Sequence, residues 1–185
     1  SKDKKTDRVS LIFYGTLRFG RNVTQLIDER IGFGFEFKAN KYLTITPSYS
    51  YRADQPYNGR KEYENRIRFD VGLEKKFKNF TIKDRNRIEH RFRNSRSDST
   101  RYRNKLQLTI PVKKDGKELF APFVADEVFY EFQSKHWTRN EFSVGINRKI
   151  NSNLSAEFFY LLQNNRGNSF KYVNVFGVNL KIKID

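Results

Sequence analysis

Few side chains of this 185-residue chain could carry covalent chemistry: there are two histidines, His90 and His136, and no cysteine. Nucleophilic catalysis needs a nucleophile next to a positioned base, and neither histidine has a serine and an acid at a suggestive spacing. Two histidines without cysteine, with the carboxylates scattered among arginines, give no ligand set for a metal. We therefore expect no enzyme, no metal site and no cofactor.

The charged residues offer a different kind of site, because arginines and carboxylates recur at every second position of several segments. A planar guanidinium donates two parallel bonds to a carboxylate, and enclosed charges must be paired. We predict an ionic network that lines the interior of a barrel, where an excess of positive charge would draw anions. The residues of this predicted network are Arg66, Arg68, Asp70, Arg85, Arg87, Glu89, Arg91, Arg101, Arg103, Lys105, Glu127 and Glu141. The alternative is a solvated surface whose ion pairs contribute little.

Apolar residues take the positions between the charges. Successive side chains of a strand alternate between two faces, so segment 30–38, with four large apolar residues in alternate positions, predicts a strand with an apolar face and a polar face. The same alternation recurs along most of the chain. We predict that the apolar face contacts lipid through Ile31, Phe33, Phe35, Phe37, Phe69, Leu106, Leu108, Phe142, Val144, Phe176 and Val178. Aromatic residues near strand ends are candidate anchors at the membrane interface: Tyr14, Tyr42, Tyr51, Tyr102, Tyr130 and Trp137.

The elements that position these residues are about ten strands. We predict them at about 9–19, 29–38, 42–52, 62–74, 80–93, 100–111, 119–132, 139–149, 154–163 and 170–183. Strands of this length can cross a bilayer at a tilt. Short turns alternate with longer loops, which is the plan of an antiparallel up-and-down transmembrane β-barrel. We expect residues 1–8 to be disordered or extended and residues 9–185 to form one all-β barrel domain.

Alternation alone does not say which face points inwards. Glycines within the strands, including Gly32, Gly145 and Gly177, share the polar face, where a crowded interior needs small residues. The polar face also mixes both signs of charge, and so many large apolar side chains would overfill a small barrel. These features favour an apolar exterior. The alternative is a soluble lipid-carrier β-barrel with an apolar cavity and its charges in water.

The net charge of +16 bears on the partners of the chain. Its lysines and arginines lie along nearly every strand and turn, not in one tail or helix, so we expect no binding to nucleic acid. Nucleic-acid binding would require an affinity that falls steeply with salt. We expect contact with membrane lipid, including anionic headgroups, and a protein partner in the outer membrane is a further expectation.

One group of segments resembles a family of bacterial outer-membrane barrels known only as a domain of unknown function. The first segment has the pattern R-x-R-x-E-x-R, formed by Arg85, Arg87, Glu89 and Arg91. An R-Y-R strand follows at residues 101–103, and an E-x-F element follows at residues 127–129. The resemblance covers most of the chain. It implies an outer-membrane location in a Gram-negative bacterium and supplies no activity.

Overall fold

A computed structural model describes residues 8–20, 22–57, 60–166 and 171–184 of the chain. The strands are β1 (Val9–Gly20), β2 (Gln25–Lys38), β3 (Leu43–Tyr57), β4 (Arg60–Lys76), β5 (Thr81–Arg93), β6 (Ser99–Thr109), β7 (Val112–Lys114), β8 (Lys117–Glu131), β9 (His136–Lys149), β10 (Leu154–Asn165) and β11 (Tyr172–Ile182). The predicted all-β, antiparallel, up-and-down architecture is confirmed. No helix with the length and apolarity of a membrane span occurs in the described part of the chain.

The chain divides into two compact units. The first unit contains the residues up to Gly72 together with Asn86–Tyr102 and Glu131–Ser134. The second contains Leu73–Arg85, Arg103–Tyr130 and the residues from Lys135 onwards. In the first unit the order of neighbouring strands is β1-β2-β3-β4-β5-β6, and in the second it is β4-β5-β6-β8-β9-β10-β11, with β7 paired to β8 off this path. Apart from the short β7, each strand therefore pairs with its neighbours along the chain.

The tight turn between β7 and β8 follows from its two central residues. Asp115 and Gly116 both have positive φ angles, 51° and 75°, and Lys114 pairs with Lys117 on either side of them. Two-residue hairpin turns of this kind favour Asp-Gly, because glycine adopts the left-handed region without steric cost. The sequence predicts a turn at this pair but not the short strand β7 that precedes it.

The structure also corrects the predicted loops. Strand β3 continues to Tyr57 and β4 begins at Arg60, where the alternation predicts one long loop from residue 53 to residue 61. Asp28 lies inside β2 and not in a loop, and β9 begins at His136, so His136 and Trp137 belong to a strand. Polar and small residues at these positions resemble loop residues, but the strands extend through them. Of the predicted N-terminal segment 1–8, residues 1–7 lie outside the described residues.

Candidate functional site

The two faces of the strands differ in exposure. The buried side chains are mostly charged or polar, and Glu89 and Arg66 are 0% and 2% exposed. Most of the large apolar side chains are exposed, and Phe176, for example, is 86% exposed. Of the apolar residues that the alternation singles out, all are exposed except Leu108, which is half-buried. All twelve residues of the predicted ionic network are buried or half-buried.

Glu89 on β5 is the centre of the ionic network in the first unit. Its Oε2 accepts a hydrogen bond from Nε of Arg68 on β4 at 2.7 Å. Its Oε1 accepts a hydrogen bond from Nη2 of Arg101 on β6 at 2.7 Å. Nη1 of Arg66 lies 3.9 Å from the same oxygen. One buried carboxylate on β5 thus joins three guanidinium groups from its two neighbouring strands, β4 and β6.

Two further carboxylates of the first unit bind arginines of β5. Arg87 donates to both carboxylate oxygens of Asp70, at 2.6 Å each, which is the parallel two-bond geometry. Arg91 donates to Glu131 at 2.7 Å and to Oγ of Ser99 at 2.5 Å. Glu131 is absent from the residues predicted for the network, because it stands at the end of a strand and next to a loop.

The network of the first unit also contains ion pairs that the sequence-based prediction misses. Asp28 accepts bonds from Arg30 and Arg52, with shortest N to O distances of 2.6 Å, and is 3% exposed. Glu64 is 2% exposed and accepts hydrogen bonds from both Nε and Nη2 of Arg66. Arg30 already lies in the predicted strand 29–38, and extending that strand by one residue would have brought Asp28 onto the same face.

The ionic residues of the second unit meet at Glu127 on β8. Its Oε1 accepts from Nη2 of Arg85 and from Nε and Nη2 of Arg103, all at 2.7 Å. Two guanidinium groups therefore share one carboxylate oxygen. Glu141, the last acid of the predicted set, lies 3.5 Å from Nη1 of Arg139.

Lys105 belongs to the same face of β6 as Arg103 and is half-buried. The charged groups near it are Arg85, Arg103, Glu127 and Glu157. Among the described residues, its ammonium makes neither a hydrogen bond nor an ion pair. An ammonium offers three donors, so Lys105 has capacity to bind a further acceptor.

Strand β8 departs from the simple division into faces. Phe123 and Phe129 are 6% and 2% exposed and lie on the same face as Glu127. The guanidinium carbon of Arg103 lies 4.4 Å from the centre of the Phe129 ring, and that of Arg139 lies 5.5 Å away. Stacking of this kind is favourable for a cation over an aromatic face, so a buried phenylalanine fits among the arginines here.

Glycines of the polar face make room for aromatic rings, as the crowding argument predicts. Gly32 pairs with Tyr14, and a β-carbon on Gly32 would lie 2.4 Å from Cζ of that tyrosine. Gly177 pairs with Phe159, and a β-carbon on Gly177 would lie 2.2 Å from Cζ of that phenylalanine. The tyrosine hydroxyl accepts a bond of 2.8 Å from Arg68. Tyr14 is therefore a polar-face residue, and its prediction as an interface anchor is wrong.

The apolar face contains polar side chains that bind one another. Asn104 donates to Asp84 at 2.6 Å, and Asn140 donates to Asp126 at 2.8 Å. Pairing of this kind reduces the cost of polar groups on a face that is otherwise apolar. The alternation misses these residues because they interrupt apolar runs singly.

Aromatic pairs lie near the strand ends. The rings of Tyr130 and Trp137 meet edge to face, with centres 5.3 Å apart. Phe77 and Phe80, at the turn between β4 and β5, stack at 4.5 Å, and Nζ of Lys75 lies 5.1 Å from the centre of the Phe77 ring. Aromatic groups in such positions are typical of membrane interfaces.

His90 is part of the apolar face. Nδ1 of His90 lies 2.8 Å from Oγ1 of Thr100, and its ring meets that of Phe92 edge to face at 4.6 Å. Within the described ranges, no three side chains of His, Cys, Asp or Glu form a group that could hold a metal ion. In each unit, charged side chains pair with one another on the buried face of the strands, and apolar side chains are exposed on the other face.

Comparison with solved structures shows the fold. LpxR from Salmonella typhimurium, an outer-membrane barrel, superimposes with a TM-score of 0.53 over 95% of this chain and 83% of its own, at 10% identity. The siderophore receptor PirA from Pseudomonas aeruginosa matches with a TM-score of 0.40 and 12% identity, and 35% of that chain is covered, which is too weak a likeness to support an argument. The likeness to LpxR shows the fold alone.

Comparison of sequences identifies the family. Among curated proteins no sequence matches the chain. A family model described as "Protein of unknown function (DUF2490)" matches residues 2–174, which is nearly the whole chain. This result agrees with the resemblance carried by the R-x-R-x-E-x-R segment. The chain belongs to the DUF2490 family.

Proposed function

We propose that the protein is an integral outer-membrane β-barrel of a Gram-negative bacterium that works without enzymatic chemistry, as a structural or partner-binding component. The observation that carries this proposal is the inverted distribution of side chains in each unit, with arginine–carboxylate pairs buried and phenylalanines exposed. Soluble monomers rarely expose contiguous apolar patches beyond a few hundred Å². Lipid is the environment that makes such a surface favourable.

The soluble lipid-carrier alternative fits these faces poorly. A carrier would turn its phenylalanines towards a cavity and its charges towards water. Here Phe13 and Ile31 are 75% and 68% exposed, whereas Arg68 and Glu64 are 6% and 2% exposed. Buried charges without a surrounding apolar core are instead typical of the interior of a small membrane barrel.

A non-enzymatic role is supported by how the candidate acids are used. Glu89, Asp70 and Glu127 are each bound by one or more guanidinium groups. A general acid or base must exchange a proton with a substrate at hydrogen-bond distance, and these oxygens already accept bonds from arginine. The carboxylates are therefore suited to neutralising charge inside the fold.

Contact with anionic headgroups is supported by lysines beside aromatic rings at turns. Lys75 lies over Phe77, and Lys41 lies over Tyr42 with its Nζ 4.8 Å from the ring centre. A lysine next to an interfacial aromatic group can reach lipid phosphates. A protein partner would bind the apolar face at its polar pairs, Asp84–Asn104 and Asp126–Asn140, which lipid solvates badly.

The experiment that tests the proposal is expression of the chain behind an added bacterial export signal, followed by membrane fractionation. We expect the protein in the outer-membrane fraction, extracted only by detergent, and migrating faster on a gel before heating than after. A protein that stays monomeric and soluble in detergent-free buffer would overturn the proposal. Reconstitution into vesicles with and without phosphatidylglycerol tests the lysine contacts, since anionic lipid should speed insertion.

A narrow anion-preferring interior is a second candidate function, favoured by the excess of cations around Glu127. Arg85 and Arg103 both bind Glu127, and Lys105 lies near these three groups and Glu157. Small barrels usually fill their interior with side chains, so any conductance should be low. In planar-bilayer recordings under a salt gradient, the reversal potential should have the sign expected for anion selectivity. An Arg103→Glu variant should shift the reversal potential towards the value expected for cation selectivity.

A further inference from the structure

The second unit contains a polar cleft of about 470 Å³ at the strand ends next to the short turns. Its lining includes Glu74, Lys83, Gln107, Glu157, Asn179 and Lys181. Part of the lining is preorganised, because Lys83 binds Glu74 at 2.9 Å and Asn179 donates to Glu157 at 2.8 Å. The volume lies in the range of small-molecule sites, and the lining offers amide, carboxylate and ammonium groups.

A cation follows the lining residues along β6. Lys105 precedes Gln107 by two residues on the same face of β6, so it is the next side chain inwards from the lining. Glu157, which lines the cleft, is one of the charges near it. Arg85 and Arg103 both bind Glu127. Among the described residues, the ammonium of Lys105 has no carboxylate within 4.0 Å.

The charges around Lys105 are unequal. The charged groups near Lys105 are two arginines, Arg85 and Arg103, and two carboxylates, Glu127 and Glu157, so three cations including Lys105 stand beside two anions. A half-buried positive charge that is not compensated favours an incoming anion. Arg85 is the more accessible arginine, with 32% of its side chain exposed against 12% for Arg103. An oxyanion at Lys105 could therefore also reach Arg85.

We propose that the polar cleft binds a small phosphate-bearing polar molecule, such as a phosphorylated sugar, with its phosphate at Lys105 and its hydroxyls at the amides of Gln107 and Asn179. A phosphate suits this place because its oxygens can accept from an ammonium and a guanidinium at the same time. The inference deepens the proposed anion preference and rests on it. It does not depend on membrane insertion, because the cleft belongs to the polar face.

The test is calorimetric titration of the full chain, folded in detergent micelles, with glucose 6-phosphate, inorganic phosphate and glucose. We expect glucose 6-phosphate to bind most tightly, phosphate more weakly and glucose not measurably. Lys105→Met should weaken binding of glucose 6-phosphate at least tenfold. Glu157→Gln should tighten it several-fold, because a competing negative charge is removed. Lys113→Met, in the exposed strand β7, is the matched control and should bind as the parent protein does.

Opposite shifts from Lys105→Met and Glu157→Gln separate a binding site from loss of folding, and heat-modifiable gel migration checks that each variant is folded. Unchanged affinity in Lys105→Met, or no binding of either phosphate compound, would overturn the inference. Equal affinity for inorganic phosphate and glucose 6-phosphate would overturn the proposed binding of sugar hydroxyls by the amides of Gln107 and Asn179. Anion-selective conductance without phosphate binding would leave the proposed function standing and remove this inference alone.

Discussion

Gly145 on β9 provides the space that the ring of Phe123 on β8 occupies: a β-carbon on Gly145 would lie 2.7 Å from Cε1 of that ring. The same β-carbon would lie 2.3 Å from the backbone carbonyl oxygen of Phe158. A ring can rotate away, but a carbonyl within a paired strand cannot move without disturbing the sheet. Strands β8, β9 and β10 therefore meet at a position that only glycine fits.

The first prediction follows from this contact. Gly145→Ala should lower the free energy of unfolding by about 1–3 kcal/mol, the usual cost of overpacking. Urea titration of the folded protein in micelles measures the change. Gly72→Ala is the control, because the nearest atom to its added β-carbon, the carbonyl oxygen of Thr44, lies at an ordinary 3.8 Å. Equal stability of the two variants would contradict the packing described here.

The second prediction concerns the buried carboxylate of Glu89. Glu89→Gln removes the charge that neutralises Arg68 and Arg101, and breaking a buried ion pair on one side typically costs about 3–5 kcal/mol. We expect a loss of stability of that order, measured by urea titration. Glu118→Gln, at an exposed position of β8, should change stability by less than about 0.5 kcal/mol. A Glu89→Gln variant as stable as the Glu118→Gln control would mean that the guanidinium groups find other partners.

The third prediction tests the apolar face. Phe69, near the middle of β4, is 49% exposed. Phe69→Arg should reduce the stability of the protein in phosphatidylcholine vesicles by about 2–4 kcal/mol, as expected for an arginine near the bilayer midplane. Phe69→Leu keeps an apolar side chain and should insert like the parent protein. If Phe69→Arg folded into vesicles as readily as Phe69→Leu, lipid would not cover this face.

The fourth prediction uses Trp137, the single tryptophan of the chain. Its ring is 48% exposed and is held edge to face against Tyr130. In vesicles of brominated lipids, bromine near the headgroups should quench its fluorescence more strongly than bromine deep in the acyl chains. Stronger quenching from the deep bromines, or quenching by aqueous acrylamide alone, would argue against a position at the interface.

The sequence predicts the strands well, because period-two alternation depends only on backbone geometry. It predicts less about strand ends. Asp28 and His136 continue strands although they stand among residues typical of loops, and only pairing with the next strand extends β2 and β9 through them. The short β7 is held by β8 across a tight turn and has too few residues to show a period.

The site shows the same division between local and tertiary information. The alternation brings Arg68, Glu89 and Arg101 to one face, but pairing between strands decides that they meet. Alternation predicts the strand β8 but does not separate its two faces, because apolar residues occupy both of them. The buried Phe129 is accommodated by the guanidinium of Arg103 stacked on its ring, which is a property of the neighbouring strand.

The position of Glu89 between arginines of β4 and β6 also has a consequence for how the protein matures. A chain that has aligned β4 and β5 but not β6 has joined Glu89 to Arg68, and Arg101 still lacks its carboxylate. Such an intermediate holds an unmatched cation that disfavours entry into a hydrocarbon layer. The three strands should therefore enter the bilayer as one cooperative block.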